Sequence, residues 1–263
     1  MKNLLKATLL IAVLAVAAMT TVTAHATCVG TCGTDTANGV VTLAPGFSSY
    51  SYVTTAGGPA GGGTLPGVFG SPGVVSTNGS TYTTSSFSTT TGELIDFEFN
   101  YVTSDGSGYP DYAWAALLST DGGSNYLIFS AQTQPTGNTV PGFTMPPLAP
   151  GTALVPSSSA IIPGGPAWNE LGGYSGYCWA AGCGYTGWIE SEFTGEGADN
   201  DVLEFGVSNA NDEYYDSGLA FAGVEVGGVP VITTTPEPSS LLLFGTGIVG
   251  LAGLIRRKFA RAL

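Results

Sequence analysis

The interior of this 263-residue sequence lacks cationic side chains altogether. Its six lysines and arginines lie at positions 2, 6, 256, 257, 258 and 261, and the single histidine is His25. Nucleic-acid binding needs cations that displace phosphate counterions, so we predict no nucleic-acid partner. Because the interior has no histidine and no lysine, it also lacks the residues for catalysis by a histidine base or a lysine nucleophile, and for a histidine-based zinc site.

Charge of either sign is scarce, since charged residues make up 10% of the chain, and the balance is strongly acidic. The formal net charge is -13, and 18 of the 19 acidic residues lie between positions 27 and 235. No salt bridge between side chains can form within that segment. Its self-repulsion must be relieved by spreading the carboxylates over the surface, by salt, or by divalent cations.

The N-terminus has the three parts of a secretory signal. Lys2 and Lys6 supply the positive start, Leu9–Met19 the apolar core, and Ala24 and Ala26 the small residues of a cleavage site. We therefore predict a signal peptide over residues 1–26 that signal peptidase removes. The alternative is an anchor helix that stays uncleaved.

The C-terminus carries a second targeting signal over residues 236–263. Pro236, Glu237 and Pro238 form a rigid tripeptide, and the uncharged residues 239–255 follow it. That run is long enough for a single transmembrane helix, and the basic tail over residues 256–263 would stay in the cytoplasm. The pattern predicts a body outside the inner membrane, and a plain anchor without processing is the alternative.

This order of tripeptide, apolar run and arginine-rich tail resembles the PEP-CTERM sorting signal of Gram-negative bacteria. The resemblance implies that an exosortase recognises the signal and cleaves near the tripeptide. It also implies release of the body to the cell surface or into an exopolysaccharide matrix.

The body, residues 27–235, has the pattern of strands. From Glu93 to Thr103 apolar residues alternate with polar ones, which is typical of a half-buried strand. The sequence predicts an all-β fold, an antiparallel β-sandwich of jelly-roll type, with Asp121-Gly122 as a hairpin turn and residues 135–166 as a long irregular excursion. The further predicted strands are Val40–Leu43, Tyr50–Thr54, Thr81–Phe87, Tyr112–Ser119, Asn125–Ser130, Trp188–Thr194, Val202–Val207 and Leu219–Val226.

Four cysteines, Cys28, Cys32, Cys178 and Cys183, lie in a chain predicted to reach an oxidising compartment, so we expect disulfides. Proximity in sequence favours Cys28 with Cys32 and Cys178 with Cys183. Crossed pairing, which would tie the N-terminus to the later loop, stays open.

Two constellations suggest ligand binding. One is an aromatic, glycine-rich loop that could stack on sugar rings or simply cover the end of the core. Its candidate glycan-binding residues are Tyr174, Tyr177, Trp179, Tyr185 and Trp188. The other is acidic and offers the oxygen ligands that calcium prefers, although its side chains could equally cap turns. Its candidate calcium ligands are Asp105, Asp111, Asn209, Asp212 and Asp216.

Paired carboxylates are a third option, because glycoside hydrolases use two of them. Glu190, Glu192 and Glu204 are the candidates. Glu190 and Glu192 share one strand face, which also fits an ordinary solvated surface, so we expect the chain not to be an enzyme.

The body is similar to ectodomains that carry the same sorting signal. The resemblance rests on Phe99–Trp114, Pro163–Trp168, Cys183–Trp188 and Asp216–Phe221. It implies export and sorting and supplies no catalytic residue. The last of these segments is also similar to the final strand of bacterial jelly-roll domains linked to carbohydrate surfaces.

Taken together, these features predict an exported surface or matrix protein with a non-enzymatic role associated with exopolysaccharide. A calcium-assisted carbohydrate-binding module is the alternative, and a glycoside hydrolase is a more remote one.

Overall fold

The computed structural model of the protein describes residues 26–232, apart from the side chains of residues 198 and 199. The described residues belong to one compact unit. The predicted signal peptide, up to residue 25, and the predicted sorting segment from residue 236 lie outside the described part. Between residues 26 and 232, no helix has the length and apolar character needed to cross a membrane.

The described chain consists of β-strands and two 3-10 helices, Gly67–Phe69 and Asn169–Tyr174. In chain order the strands are β1 Thr27–Val29, β2 Thr31–Asp35, β3 Tyr50–Thr54, β4 Ser76–Thr83, β5 Phe87–Thr89, β6 Leu94–Thr103, β7 Tyr112–Ser119, β8 Tyr126–Gln132, β9 Thr152–Val155, β10 Ile162–Pro163, β11 Gly184–Tyr185, β12 Ile189–Thr194, β13 Ala198–Ala210, β14 Ser217–Val226 and β15 Val229–Pro230.

The strands form two antiparallel sheets. The first has the order β1-β4-β13-β7-β8, with β5 also on β13. The second has the order β10-β11-β6-β14-β3-β2, with β12 on β6, β9 on β12 and β15 on β14. The eight main strands thus make the arrays β4-β13-β7-β8 and β3-β14-β6-β12, which is the order of a jelly roll. The predicted all-β antiparallel sandwich is confirmed.

The core lies between the two sheets and follows from strand alternation. On β6, the side chains of Ile95, Phe97, Phe99 and Tyr101 are all buried in it, as the sequence pattern predicts. Aromatic rings join the sheets across the core. The ring centroids of Phe97 and Phe205 lie 5.1 Å apart at nearly perpendicular planes, a favourable arrangement for two aromatic rings.

Loops cover part of both outer faces. On the second sheet, Trp168 is fully buried and its indole donates a 3.0 Å hydrogen bond to the Tyr50 hydroxyl. On the first sheet, buried Trp114 donates from Nε1 to the backbone oxygen of Gly63, at 2.9 Å. These satisfied indoles hold the loops against the sheets, because a buried N–H without a partner would be costly.

The N-terminal segment crosses between the sheets. β1 pairs with β4 in the first sheet, and β2 pairs with β3 in the second. Gly30 stands between them at a φ of 87°, a backbone region that favours glycine. A disulfide joins Cys28 to Cys32 across this step, and the second disulfide joins Cys178 to Cys183. The favoured pairing is therefore the one present.

Two strand predictions and one loop prediction need correction. Val40–Leu43 forms no strand, since Val41 makes only an isolated bridge with Asn38 while its side chain is buried in the cluster beneath Trp168. The strand expected over Thr81–Phe87 is divided between β4 and β5. The excursion over residues 135–166 contains the short strands β9 and β10, because β9 extends the second sheet beyond β12.

Candidate functional site

Sheet topology gathers the main connecting loops at one end of the sandwich. The last residue of β6, Thr103, pairs with the first of β14, Ser217. The first residue of β7, Tyr112, pairs with Ser208 near the end of β13 and with Gln132 at the end of β8. The connections β6–β7, β8–β12 and β13–β14 therefore emerge at the same end, which we call the loop end. They carry both constellations that the sequence suggested.

Asp111 anchors this end. Its side chain is fully buried. One carboxylate oxygen accepts a 2.8 Å hydrogen bond from the backbone N–H of Ala210, and the other accepts a 2.6 Å bond from the Ser217 hydroxyl. One carboxylate thus connects the starts of β7 and β14 with the end of β13.

The side chains of Asp105 and Asn209 have polar atoms without hydrogen-bond partners, unlike that of Asp111. Both are fully buried. Asp105 accepts a 2.6 Å hydrogen bond from the N–H of Gly106 at Oδ1, while its Oδ2 has no partner. The side chain of Asn209 lies close enough to Asp216 to lower the pKa of that carboxyl, yet neither of its polar atoms reaches hydrogen-bonding geometry. Buried polar atoms without partners are uncommon in folded proteins.

Burial dominates the electrostatics of these acids. Desolvation raises the pKa of Asp105 to about 7, opposed by the Gly106 hydrogen bond and reinforced by the charge of Asp212. Burial, followed by the negative charge of Asp105, raises the pKa of Asp111 well above its ordinary value. Burial also raises the pKa of Asp216, although a 2.9 Å hydrogen bond from Thr55 opposes this.

The predicted calcium ligands thus all lie at the loop end, where the charges of Asp105 and Asp212 contribute to the raised pKa of Asp111. Asp212 sits at the edge of the group, where its carboxylate accepts a 2.9 Å bond from the N–H of Tyr214 and closes a turn. Within residues 26–232, no three Asp, Glu, His or Cys side chains converge as a metal centre. A cation here would need other oxygen atoms as well.

A row of partly exposed aromatic rings lies at the same end. The ring of Tyr215 is 4.8 Å from that of Tyr174 and 5.2 Å from that of Trp179, between centroids. We call these three residues the aromatic ladder. Trp179 remains 53% exposed, and the neighbouring Tyr177 and Tyr214 are 61% and 63% exposed. The ladder therefore presents apolar ring surface to solvent.

Tyr185 and Trp188 have a different role from the other predicted glycan-binding residues. Both pack on the cluster around Trp168 that covers the second sheet. The ring of Trp188 lies 5.9 Å from that of Tyr50, and its indole donates a 2.9 Å hydrogen bond to the backbone oxygen of Thr42. Packing accounts for the positions of both side chains.

The aromatic and acidic loops are directly joined. The backbone N–H of Trp179 donates a 2.9 Å hydrogen bond to the backbone oxygen of Ser104. The backbone N–H of Ser107 donates a 3.0 Å bond to the backbone oxygen of Ala181. Gly106 is needed at this contact, since a Cβ there would lie 2.5 Å from the Cβ of Ala180. The Cys178–Cys183 disulfide closes the same aromatic loop. Trp179 is therefore held in place by backbone contacts and a covalent bond.

The sequence missed Tyr215, the residue that contacts both other rings of the ladder. Asp212 and Asp216 mark the segment as an acidic loop, whereas the pair Tyr214 and Tyr215 between them is the sequence signal for an aromatic contact. Tyr215 has a positive φ of 55°, which is uncommon for a residue with a side chain.

The three candidate catalytic glutamates lie on opposite surfaces. Glu190 and Glu192 alternate with buried Ile189 and Phe193 on β12, so they face outward from the second sheet. Glu204 faces outward from the first sheet, where it accepts a 2.9 Å hydrogen bond from Thr83. Since the core separates the two surfaces, Glu204 cannot act with either of the others on one glycosidic bond.

Carboxylates crowd the outer face of the second sheet. Glu190 is directly opposite Glu98, and Glu192 is opposite Asp96, which in turn is opposite Glu225 on β14. Like charges that face each other across strands destabilise a sheet. Burial and then the neighbouring charges raise the pKa of Asp96 and of Glu98.

We expect Glu190→Gln to stabilise the protein at neutral pH. Its charge contributes to the raised pKa of both Asp96 and Glu98. A raised native pKa favours folding below the ordinary carboxyl pKa, and that contribution is lost as pH rises through the native value. Removing Glu190 should therefore raise the free energy of unfolding by about 0.5–1 kcal/mol at pH 7, with no gain at pH 3. Urea titrations at the two pH values measure the difference.

The control is Glu213→Gln, which removes the same charge from an exposed loop position. It should change stability less than Glu190→Gln does at pH 7. An equal gain from both variants would mean that net charge, rather than the cross-strand contact, sets the effect.

Comparison with known families gives a match at the C-terminus. Residues 234–258 match the PEP-CTERM protein-sorting motif, which confirms the sorting signal predicted there. The motif supports an extracellular protein that an exosortase sorts and whose precursor is anchored in the membrane of a Gram-negative bacterium. A search of curated proteins finds no match to the chain.

Proposed function

We propose that this protein is a non-enzymatic component of the cell surface or extracellular matrix that binds exopolysaccharide through its aromatic ladder. The ladder is the observation that carries the proposal. Sugar rings present apolar C–H faces that pack on aromatic side chains, and the 53% exposed Trp179, at one end of the row with Tyr215 and Tyr174, offers such a surface.

The rigidity of the loop that carries Trp179 favours glycan binding. The backbone contacts of Trp179 and the adjacent disulfide fix the platform before a ligand arrives. Binding then costs less conformational entropy than it would on a free loop. Tyr185 and Trp188 are partly buried and pack on the cluster around Trp168, whereas Trp179 remains exposed and is free to contact a ligand.

The C-terminal sorting motif supports a location outside the cell. After export and cleavage near Pro236, Glu237 and Pro238, the body would be free of its membrane segment and would reach the polysaccharide outside the cell. The strongly acidic body favours hydration and solubility there. In a second candidate role this acidic, glycine-rich surface spaces and hydrates the matrix without binding a glycan.

The two roles differ in what retains the body outside the cell. We expect the body to stay with the surface fraction of producing cells, and to be freed into the medium by a strain that makes no exopolysaccharide. Immunoblots of both fractions, with mass spectrometry of the released C-terminus, provide the measurement. Equal retention in both strains would refute polysaccharide binding and favour contact with another protein.

A further inference from the structure

Three buried side-chain atoms at the loop end lack a hydrogen-bond partner. Asp105 Oδ2 and both polar atoms of the Asn209 side chain are buried without a hydrogen-bond partner. Both side chains are fully buried. Leaving such groups unsatisfied costs folding free energy, so a bound partner is the simplest reason for keeping them.

The surrounding charge selects the sign of that partner. Asp105, Asp111 and Asp212 are close enough to influence one another electrostatically. No lysine, arginine or histidine occurs between positions 26 and 255, so the chain itself provides no cationic side chain for neutralisation. An external cation can provide it, and carboxylate and amide oxygens are hard ligands that suit Ca²⁺.

We propose that Asp105, Asp111 and Asn209 bind a calcium ion at the loop end of the sandwich. Two carboxylates and one amide oxygen leave several positions of a calcium ion to water and backbone oxygens, which is common for this metal. The Asp111 oxygens already accept one hydrogen bond each, but each has a second lone pair for a cation. This set is consistent with the lack of a three-carboxylate centre among residues 26–232.

The site connects to the ladder through the β13–β14 loop. Asn209 is near the end of β13, and Tyr215 precedes the start of β14. Asn211 and Tyr215 both have positive φ values, 72° and 55°. Asn tolerates this region, but a tyrosine adopts it only when its surroundings hold it there. A calcium ion on Asn209 would stabilise this loop and fix the ring of Tyr215. This link to the ladder rests on the proposed function, whereas the cation site itself does not.

The test measures calcium binding in the absence of any glycan. The full chain in detergent and the body, residues 27–232, are titrated with CaCl₂ by calorimetry and followed in thermal unfolding. We expect one ion per chain and a rise in melting temperature on the order of 5 °C at millimolar calcium. Asp105→Asn, which keeps the shape of the side chain, should weaken binding at least about tenfold and lose the thermal shift.

The matched control is Glu213→Gln, which removes one charge from the same loop at an exposed position and should bind calcium as the wild type does. An equal thermal shift for all three proteins would overturn the proposal, because it would show general screening of the acidic body. Absence of stoichiometric binding would overturn it as well.

A second readout uses the wild-type protein alone, so it does not depend on whether a variant folds. Terbium replaces calcium in oxygen sites and emits when nearby tyrosine or tryptophan is excited, and Tyr215 and Trp179 lie on the two loops of the site. We expect saturable emission from the wild-type protein that calcium displaces. Emission that calcium does not displace, or none, would contradict the site and would leave the proposed glycan binding untouched.

Discussion

Trp179→Ala is expected to weaken binding of the body to exopolysaccharide at least about tenfold. Trp179 offers the largest ring of the ladder and remains half exposed. Its ring contacts Tyr215 at a centroid distance of 5.2 Å, so its removal both deletes a stacking surface and leaves Tyr215 without one of its neighbours. Loss of a rigid aromatic anchor commonly dominates the energetics of binding.

Stability should change little in this variant, because an exposed ring contributes little to the core. The control is Phe143→Ala, which removes a 79% exposed aromatic side chain outside the ladder and should leave binding unchanged. Affinity is measured by co-sedimentation at increasing polysaccharide concentration. Equal affinities for the wild type and Trp179→Ala would show that the ladder is not the binding surface.

Gly63→Ala is expected to destabilise the fold by more than about 3 kcal/mol, a large part of the stability of a typical domain. The Gly63 backbone has a φ of 69°, and a Cβ there would lie 1.7 Å from the backbone oxygen of Val207. The Gly63 oxygen also accepts the hydrogen bond of the buried Trp114 indole. The loop cannot move away without breaking that bond, so the added Cβ would displace the backbone of β13 in the first sheet.

Gly61→Ala is the matched control in the same loop. Gly61 has a similar φ of 73°, but a Cβ there would meet no atom within 4 Å. It should therefore cost only the strain of a left-handed alanine, about 1–2 kcal/mol. Urea unfolding followed by tryptophan fluorescence compares the two variants. Equal losses would mean that φ alone, and not the contact with Val207, requires the glycine.

Local patterns predicted much of the fold. The alternation on β6 identifies its buried face because strand side chains point alternately to the two sides. The Asp121-Gly122 turn predicts the hairpin, and β7 pairs with β8 as expected. The disulfides follow from cysteines close in sequence. Val40–Leu43 is predicted as a strand from a short run of strand-forming residues between turn residues, but Val41 instead packs in a loop cluster.

The candidate site was predictable only in parts. Its acidic and aromatic residues are visible in the sequence, but their contact depends on strand pairs such as Thr103 with Ser217, which are far apart in the chain. The role of Tyr215 depends on the same pairing. Conversely, the sequence leaves Trp188 open between stacking on sugar rings and covering the core, and its packing against Tyr50 identifies it as structural.

The central claim is that the exported body binds the polysaccharide of the cell that secretes it. The body, residues 27–232, is suited to a direct measurement because the described chain forms one compact unit. Purified body with intact disulfides is sedimented with purified exopolysaccharide from the producing organism, and the pelleted fraction is measured. The account predicts saturable binding that Trp179→Ala weakens at least about tenfold. Wild-type protein that stays in the supernatant at every polysaccharide concentration would contradict it.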